Sequence, residues 1–439
     1  MTGKRKRKLA MPDTLIIVAS VVLLVAILSW IIPSGTYDYQ EMNINGRIRN
    51  VAIDGTYHTI DKSEVTTTGF LGFFSVLYRG CVEAADVIFM ILCCCGTFGV
   101  VVKTGAFHAG IGTILKKLKG KEILLVPIIM MIFGLGGSVF GMASEFYGFY
   151  PLIVGLGVAL GYDAMFGFAI IAVGEFVGFM GATLNPYSVG IAQTISGVEL
   201  YSGTGYRAIC FVIFMAISII YVMVYGRKIK KNPGASVVFG EKNIHAFDRD
   251  ELNEYSFTLK DGLVLLDVLV VLVVLMLGLI KWGWDFPQLC GLFLLMSMIA
   301  AAICKWSPNK WCSEFIDSAK TAMWGCILTG IAKAITVVMQ DAQIMDTVIY
   351  GLSNVLKNAP HAVSAQVMLV VQTLINFFIP SATGQASATM PIMAQLADII
   401  GVSRQTAVLA FQFGDGLSNI FWPTADIVII CGLGGISLQ

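Results

Sequence analysis

Long apolar runs constrain the fold of this chain more than any other feature. The first extends from Thr14 to Ile32, about 19 residues, and a helix needs roughly 20 apolar residues to cross a bilayer. Inside lipid every main-chain donor and acceptor must be bonded within the protein, so such runs predict helices. Later runs are Val87 to Val102, Ala164 to Ala182, Ala208 to Val224, Gly262 to Ile280, Phe286 to Ile303, Met323 to Val338 and Thr406 to Phe421. The sequence therefore predicts an all-α polytopic membrane protein.

The composition excludes several classes of protein. Hydrophobic residues make up 56% of the chain and charged residues 13%, whereas soluble chains have about 45–50% and about 25%. Too little polar surface remains to cover a soluble enzyme, a disordered chain or a nucleic-acid binder. The sequence has no Walker motif, its four histidines lie near predicted loops, and most of its 10 cysteines lie in apolar runs without metal-ligand spacing. We therefore expect neither an enzyme nor a cofactor.

Basic clusters predict which loops face the cytoplasm, because positive residues are retained on that side. The clusters are Lys4 to Lys8, Lys116 to Lys121, Arg227 to Lys231, and Lys305 with Lys310. The N-terminus is therefore predicted inside, and the polar segment 34–68 outside. Gly69 to Tyr78 is aromatic and amphipathic, which is typical of a helix at the membrane interface.

Two pairs of apolar runs each flank a turn of small and polar residues, and the runs of the first pair are too short to span a membrane. Ile123 to Leu135 and Phe149 to Leu160 flank a turn rich in Gly and Ser, and Val363 to Ile379 and Met390 to Ile400 flank another. Such a pair predicts a re-entrant hairpin, which enters and leaves on one side of the membrane. The basic clusters predict that the first hairpin opens to the cytoplasm and the second to the outside.

The two halves of the chain also match each other. The offset of 240 aligns the hairpin turn 143–145 with 383–385, Pro151 with Pro391, Gly161 with Gly401, Gly174 with Gly414 and Glu175 with Asp415. The offset of 237 aligns Asn185-Pro186 with Trp422-Pro423. With the topology above, this order predicts two inverted-topology repeats, each with a re-entrant hairpin and a broken transmembrane helix. Secondary transporters have this plan, with their site near the bilayer midplane.

Four polar features interrupt the apolar runs, and we expect them to converge on that site. They are the hairpin tips at 138–147 and 381–387 and the helix breaks at 183–188 and 418–424. Unwound backbone at this depth must line a polar cavity or bind a ligand. The candidate substrate-binding residues are Ser144, Glu145, Glu175, Asn185, Ser188, Thr383, Gln385, Ser387, Asp415, Asn419, Thr424 and Asp426, and the candidates for ion coupling are Thr183, Asn185, Ser418 and Asn419. The alternative is that the small residues only allow helices to pack closely.

Acidic residues inside the apolar segments are the sharper signal. Glu175 and Asp415 lie in mid-helix, Glu145 at a hairpin tip and Asp426 after a break. A charged carboxylate at the membrane centre costs roughly 2.5–3.5 kcal/mol. Such groups usually face a cavity, pair with a cation or carry protons, and the alternative is a structural hydrogen-bonding role.

Basic residues are scarcer in these segments. Lys103 lies near a helix end and can snorkel to the surface, whereas Lys333 lies deeper and would neutralise one of the acids. The excess of acids favours a cationic or zwitterionic substrate, or Na⁺ or H⁺ coupling. A dianion would instead require paired arginines.

The paired motifs at 174–176 with 185–188 and at 414–416 with 419–424 resemble a known family, as does Met11-Pro12 followed by Trp30 to Gly35. The chain is similar to the C4-dicarboxylate anaerobic carrier-like family of bacteria, and within it to the branch of YfcC and the arginine/ornithine antiporters. The resemblance implies an elevator-type ion transporter fold, in which scaffold helices form a homodimer and a transport domain carries both hairpins. It also implies a bacterial cytoplasmic (inner) membrane location.

This resemblance and the topology divide the chain into predicted parts. They are a first scaffold helix (1–33), an external loop with an interfacial helix (34–80), a first repeat (81–226, hairpin about 123–160), a cytoplasmic linker (227–261), scaffold helices (262–305) and a second repeat (306–439, hairpin about 363–400). The counterpart of Ala208 to Val224 would follow Gln439. Either the sequence given is truncated or the final helix is missing.

Three functions remain open at this point. The first is a secondary transporter of a basic amino acid by arginine/ornithine-like exchange. The second is a Na⁺- or H⁺-coupled C4-dicarboxylate carrier, in which Lys333 and the hairpin tips would bind the anion. The third is a channel or a regulatory membrane protein, which two opposed hairpins disfavour because both would block a continuous pore.

Overall fold

A computed structural model describes residues 14–44, 47–118, 122–240, 257–357 and 363–436 of the chain. The basic start Lys4 to Lys8, the motif Met11-Pro12, most of the predicted linker (241–256) and Gln439 lie outside the described residues. The first nine helices are α1 (Thr14–Ile31), α2 (Phe70–Glu83), α3 (Ala85–Lys103), α4 (Ala106–Leu118), α5 (Leu125–Leu135), α6 (Phe149–Ala159), α7 (Ala164–Gly181), α8 (Val189–Ile195) and α9 (Thr204–Lys231). The helices after residue 257 are α10 (Leu259–Lys281), α11 (Phe286–Ile303), α12 (Pro308–Lys320), α13 (Met323–Asp341), α14 (Met345–Lys357), α15 (Ser364–Phe378), α16 (Ala382–Ile399), α17 (Arg404–Ser418) and α18 (Ile427–Gly434).

The prediction of a mainly helical chain with several apolar spans is confirmed. In the described residues, six helices are long and apolar enough to cross a membrane, namely α3, α7, α9, α10, α11 and α13. The arms α5, α6 and α15 are shorter apolar helices, as the predicted hairpins require. Helix α1, the predicted first span, is also one of the shorter apolar helices. Helices α9 and α10 extend into the segment predicted as linker.

The same order of helices occurs twice. A 19-residue helix, a 13-residue helix, two hairpin arms and a helix that ends before a break follow one another as α3 to α7 and again as α13 to α17. Related helices also pack in related pairs. Helix α2 packs on α13 as α12 packs on α3, and α1 packs on α13 as α11 packs on α3. Both arms of each hairpin pack on the broken helix that follows them, α7 or α17.

Glycines allow α2 and α13 to come into close contact. A Cβ atom added at Gly80 would lie 2.7 Å from the Ala334 main-chain nitrogen, and one added at Gly330 would lie 2.9 Å from the Cys81 Cα. Main-chain atoms cannot rotate away, so neither position has room for a side chain. The crossing therefore joins the helix that follows residues 34–68 to the second half of the chain.

The segment 34–68 contains strands, so the expectation of an all-α chain is wrong at this point. Strand β1 (Ser34–Thr36) pairs antiparallel with β4 (His58–Ile60), and β2 (Tyr39–Ile44) pairs antiparallel with β3 (Arg47–Ala52). We call residues 34–60 the strap. Its strand β3 packs on the second hairpin arm, α16. Short, polar strands of this kind lack the long apolar pattern on which the prediction relied.

Asp346, in the first turn of α14, anchors the strap. Its carboxylate accepts hydrogen bonds from the Tyr37 main-chain nitrogen (3.0 Å), the Thr36 hydroxyl (3.1 Å) and the Tyr39 hydroxyl (2.8 Å). Burial and then the charge of Asp346 hold the pKa of the Tyr39 hydroxyl above its ordinary value, so this group stays protonated and donates. The strap is thus a fixed part of the fold rather than a loose loop.

The second hairpin turn is shorter than predicted. The Ser/Gly/Thr-rich stretch that the sequence predicts as a turn becomes helical from Ala382, because the Ser381 hydroxyl accepts a hydrogen bond from the Gly384 main-chain nitrogen and caps α16. Thr383, Gln385 and Ser387 therefore lie in the first turns of a helix. Ser and Thr are favoured both in turns and at the N-terminal caps of helices, so a stretch rich in them does not distinguish a turn from the start of a helix.

The crossing at Gly330 can be tested by adding one methyl group. We expect Gly330→Ala to lower the apparent unfolding temperature in detergent, because overpacking costs about 1–3 kcal/mol. Gly291→Ala, on α11, is the matched control, since nothing lies within 4 Å of its added Cβ and Ala is favoured over Gly in a helix. Equal unfolding temperatures for the two variants would contradict the close crossing.

Candidate functional site

The two hairpin tips and the two helix breaks meet, as the sequence predicts. The Tyr147 hydroxyl, at the first tip, lies 3.3 Å from a carboxylate oxygen of Asp426, just after the second break. The Thr383 hydroxyl, at the second tip, donates to the Tyr187 carbonyl in the first break at 2.8 Å. Each tip therefore contacts the break of the other half.

The two broken helices also pack against each other near their ends. The Gln412 side-chain amide of α17 donates to the Phe179 carbonyl of α7 at 2.9 Å. Gly416 allows this approach, since a Cβ there would lie 2.5 Å from the Met180 Cα. Glu175 and Asp415 are thus carried on neighbouring helices.

The first break is closed by its own hairpin. The Ser138 and Thr183 hydroxyls lie 3.0 Å apart, and the Thr183 main-chain nitrogen donates to the Ser138 hydroxyl at 3.1 Å. The Asn185 side-chain oxygen accepts from the main-chain nitrogens of Tyr187 (2.9 Å) and Ser188 (3.2 Å). Its oxygen is therefore engaged by the backbone of the break, whereas the buried Ser188 hydroxyl has no partner among the described residues.

The second half has a different network and leaves oxygens unpaired. The Asn376 amide donates to the Asp415 carbonyl (3.0 Å), the Ser418 hydroxyl (2.6 Å) and the Asn419 side-chain oxygen (3.0 Å). The Gln385 amide donates to the Gln372 side-chain oxygen at 2.7 Å. The side-chain oxygens of Asn376 and Gln385 accept no hydrogen bond within the described part of the chain.

Four acidic side chains surround the meeting point. Glu175 is fully buried and accepts one hydrogen bond, from the Tyr150 hydroxyl at 2.7 Å. Asp415 is equally buried, and neither of its carboxylate oxygens has a partner in the residues described. The nearly buried Glu145 accepts from the Ala143 main-chain nitrogen at 3.0 Å within its own tip. Asp426 lies within electrostatic range of both Glu175 and Asp415.

Among the described residues, none of these acids forms an ion pair with a basic side chain. Among the described residues, the ion pairs within 4.0 Å join Arg79 to Asp341, Lys260 to Asp261, Lys320 to Asp317 and Arg404 to Asp398. None involves Glu145, Glu175, Asp415 or Asp426. A buried charge without a partner is costly, so the cluster can take up protons, a metal cation or the positive groups of a ligand.

A cavity of about 730 Å³ reaches this cluster from the side of the strap. Its wall includes Tyr39 of the strap, Lys333 of α13, Ser381 of the second tip and Asp426. Three of the candidate residues line it, namely Ser387, Thr424 and Asp426. It is not lined by Glu175, Asp415, Asn185, Gln385 or Ser418, which are buried, and Ser144 and Glu145 lie at the first tip.

Arg207 is a buried residue at the first break that the sequence analysis missed. It is 1% exposed, and its guanidinium donates to the carbonyls of Ala182 (3.0 Å), Thr183 (3.0 Å) and Ser202 (2.8 Å). Ala182 has a φ angle of 26°, a conformation that costs a residue other than glycine about 1–3 kcal/mol. A cation is favoured at the C-terminal end of a helix, so Arg207 stabilises the end of α7 where it unwinds. The predicted span began at Ala208, and Arg207 was therefore left at its edge.

The role of Arg207 can be tested through stability. Arg207→Met removes the donor to the Ala182 carbonyl, and an unpaired buried carbonyl costs about 1–3 kcal/mol. We expect a lower apparent unfolding temperature in detergent, with partial recovery in Arg207→Lys because one ammonium cannot reach all three carbonyls. Arg227→Met is the control, because Arg227 is an exposed residue of the same helix. If Arg207→Met lowers the unfolding temperature no more than Arg227→Met does, Arg207 does not stabilise the end of α7.

Comparisons with known proteins agree with the resemblance seen in the sequence. The family model of the C4-dicarboxylate anaerobic carriers, DcuC, matches residues 11–439. A protein of Escherichia coli (strain K12) named "Putative basic amino acid antiporter YfcC" is 33% identical, covering 96% of this chain and 90% of its own length. An uncharacterized protein of Haemophilus influenzae is 28% identical, covering 97% of this chain and 92% of its own length.

Two solved transporters give weaker structural likenesses. The YdaH transporter of Alcanivorax borkumensis has a TM-score of 0.42 at 14% identity, covering 97% of this chain and 92% of that chain. MtrF of Neisseria gonorrhoeae, described among antimetabolite efflux pumps, has a TM-score of 0.44 at 16% identity, covering 98% and 90%. Both scores are too low to bear on function. The family match and the 33% identity over nearly the whole chain are decisive. The chain therefore belongs to the C4-dicarboxylate anaerobic carrier family and is a multi-pass membrane transporter.

Proposed function

We propose that the protein is a secondary active transporter that exchanges basic amino acids, as in arginine/ornithine exchange. The observation that carries this proposal is the acidic cluster of Glu145, Glu175, Asp415 and Asp426, none of which pairs with Lys or Arg in the described residues. Positive groups of a substrate would supply the missing charge. The name of the Escherichia coli relative supports the same substrate class.

The distribution of positive charge speaks against a dicarboxylate as the main substrate. A dianion is best held by paired arginines, whose donors match carboxylate geometry. Arg207 is the buried arginine nearest to the breaks, and its guanidinium donates to main-chain carbonyls. A single substrate carboxylate needs no such pair, and neutral donors at the tips and breaks would also contact it, namely Ser144, Asn185, Ser188, Thr383, Gln385, Ser387, Asn419 and Thr424, together with the N-terminal end of α16.

We further propose an elevator mechanism with two inverted repeats. The related pairs α2 with α13 and α12 with α3 support a two-fold relation between the halves, and the basic clusters support a cytoplasmic N-terminus. In this arrangement the hairpins and broken helices move as a transport domain, while the scaffold helices α1, α10 and α11 mediate dimerisation. The membrane would be the bacterial inner membrane.

A second candidate is a Na⁺- or H⁺-coupled C4-dicarboxylate carrier. The name of the family and the unpaired oxygens of Asn376, Asp415 and Gln385 favour it. In that case these oxygens, with Thr183, Asn185, Ser418 and Asn419, would hold the coupling cation. The acidic cluster would then bind the coupling ion rather than the substrate.

Exchange in proteoliposomes tests the choice between the two. We expect liposomes loaded with ornithine to take up labelled arginine by saturable counterflow, because an exchanger couples the two fluxes. Empty liposomes and liposomes loaded with succinate are the controls. Succinate uptake driven by a Na⁺ or proton gradient, without arginine uptake, would overturn the main proposal, and non-saturable flux would indicate a channel.

The acids can be tested one by one. We expect Glu175→Gln and Asp415→Asn each to reduce exchange by more than about a hundredfold, since breaking a buried ion pair costs about 3–5 kcal/mol. Apparent unfolding temperatures should not fall, because the amides are nearly isosteric and remove an uncompensated charge. Asp317→Asn, on the exposed face of α12, is the control. Unchanged kinetics in both site variants would leave the two acids with a structural role only.

A further inference from the structure

Helix α13 presents a polar stripe to the cavity. Thr329, Lys333, Thr336 and Gln340 all line it, and their spacing puts them on one face of the helix. The stripe faces the second tip, whose residues Ser381, Gly384 and Ser387 line the same cavity. The stripe is therefore a wall of the substrate cavity rather than a helix-packing surface.

Lys333 has no partner on this wall. It lies near the middle of α13, one of the candidate spanning helices, and is half-buried. Its ammonium makes no hydrogen bond and no ion pair within 4.0 Å among the described residues. The expectation that Lys333 neutralises a buried acid is thus not met by direct pairing. An ammonium without a partner is costly inside a membrane, so it needs water or an anionic group in the cavity.

The same cavity carries opposite charges at separate points. Lys333 lies on one wall, Asp426 lies on another, and Glu83 lies at the exposed rim. Positive and negative groups that share a cavity without pairing are complementary to a ligand that carries both charges. The volume of about 730 Å³ lies within the usual range of roughly 300–1,000 Å³ for small-molecule sites.

We infer that Lys333 is a specificity-determining residue that binds the α-carboxylate of the amino acid substrate, opposite Asp426, which receives a positive group. This inference rests on the proposed function and deepens it. Lys333 would make the transporter select an amino acid over the amine that decarboxylation produces. Arginine and agmatine differ by this carboxylate alone, while both keep the guanidinium and the second nitrogen.

The test compares these two ligands on the intact protein in detergent. We expect the wild type to bind arginine at least tenfold more tightly than agmatine, as measured by calorimetry. Lys333→Met should lower the arginine affinity by about tenfold or more and leave the agmatine affinity unchanged, while Lys333→Arg should retain selectivity. Lys103→Met is the control, because Lys103 is an exposed lysine at the end of α3, the counterpart of α13.

Stability separates a binding role from a structural one. Because Lys333 has no internal partner, Lys333→Met and Lys333→Gln should unfold at the same temperature as the wild type or above it. A large drop in both would indicate a structural role and overturn the inference. An unchanged ratio of arginine to agmatine affinity in the folded variants would overturn it as well.

The outcomes also distinguish this inference from the proposed function. A wild type that binds succinate but no basic amino acid would refute the proposed function. Lys333→Met would then be tested with succinate: loss of binding would support a carboxylate-binding Lys333, and unchanged binding would refute it. If Lys333→Met leaves arginine binding unchanged, the proposed role of Lys333 is refuted while the proposed function stands.

Discussion

Interrupted helices impose the main constraint on this protein. A helix that stops inside a membrane protein leaves main-chain donors and acceptors that lipid cannot satisfy. Here the groups freed at the end of α7 are bonded by Arg207 and by Ser138 of the first hairpin, and Asn376 of the second hairpin bonds the end of α17. Each hairpin is thus required by the break beside it.

This constraint also brings the two halves together. Tyr147 of the first tip contacts Asp426 beyond the second break, and Thr383 of the second tip contacts Tyr187 in the first. The contacts gather four carboxylates around one point: Glu145, Glu175 and Asp415 are buried there, and Asp426 lines the cavity. An uncompensated charge is expensive in such surroundings. Such a cluster can take up protons, a metal cation or the positive groups of a ligand.

Much of the architecture could be predicted from apolar runs and basic clusters. The spans, both hairpins and the break after Gly181 agree with the sequence pattern, because each depends on the local need to bury apolar side chains or to stop a helix. The strap and the 13-residue helices α4, α12 and α14 could not be found in this way. The strap is held by Asp346 and by packing on α16, contacts between residues that are far apart in the chain.

The candidate site likewise combines features that the sequence pattern determines with features that depend on long-range contacts. The sequence alone determined which segments are broken and that Glu145, Glu175, Asp415 and Asp426 lie within apolar surroundings, because composition and spacing carry that information. Only the tertiary structure decided that Glu175 is paired with Tyr150, whereas the Asp415 carboxylate has no partner in the part of the chain that the structure describes. It also decided that Arg207 bonds the carbonyls of the first break and that Lys333 shares a cavity with Asp426. The physical reason is that the partner of a buried polar group is set by three-dimensional packing between helices, and a linear pattern of residues does not contain it.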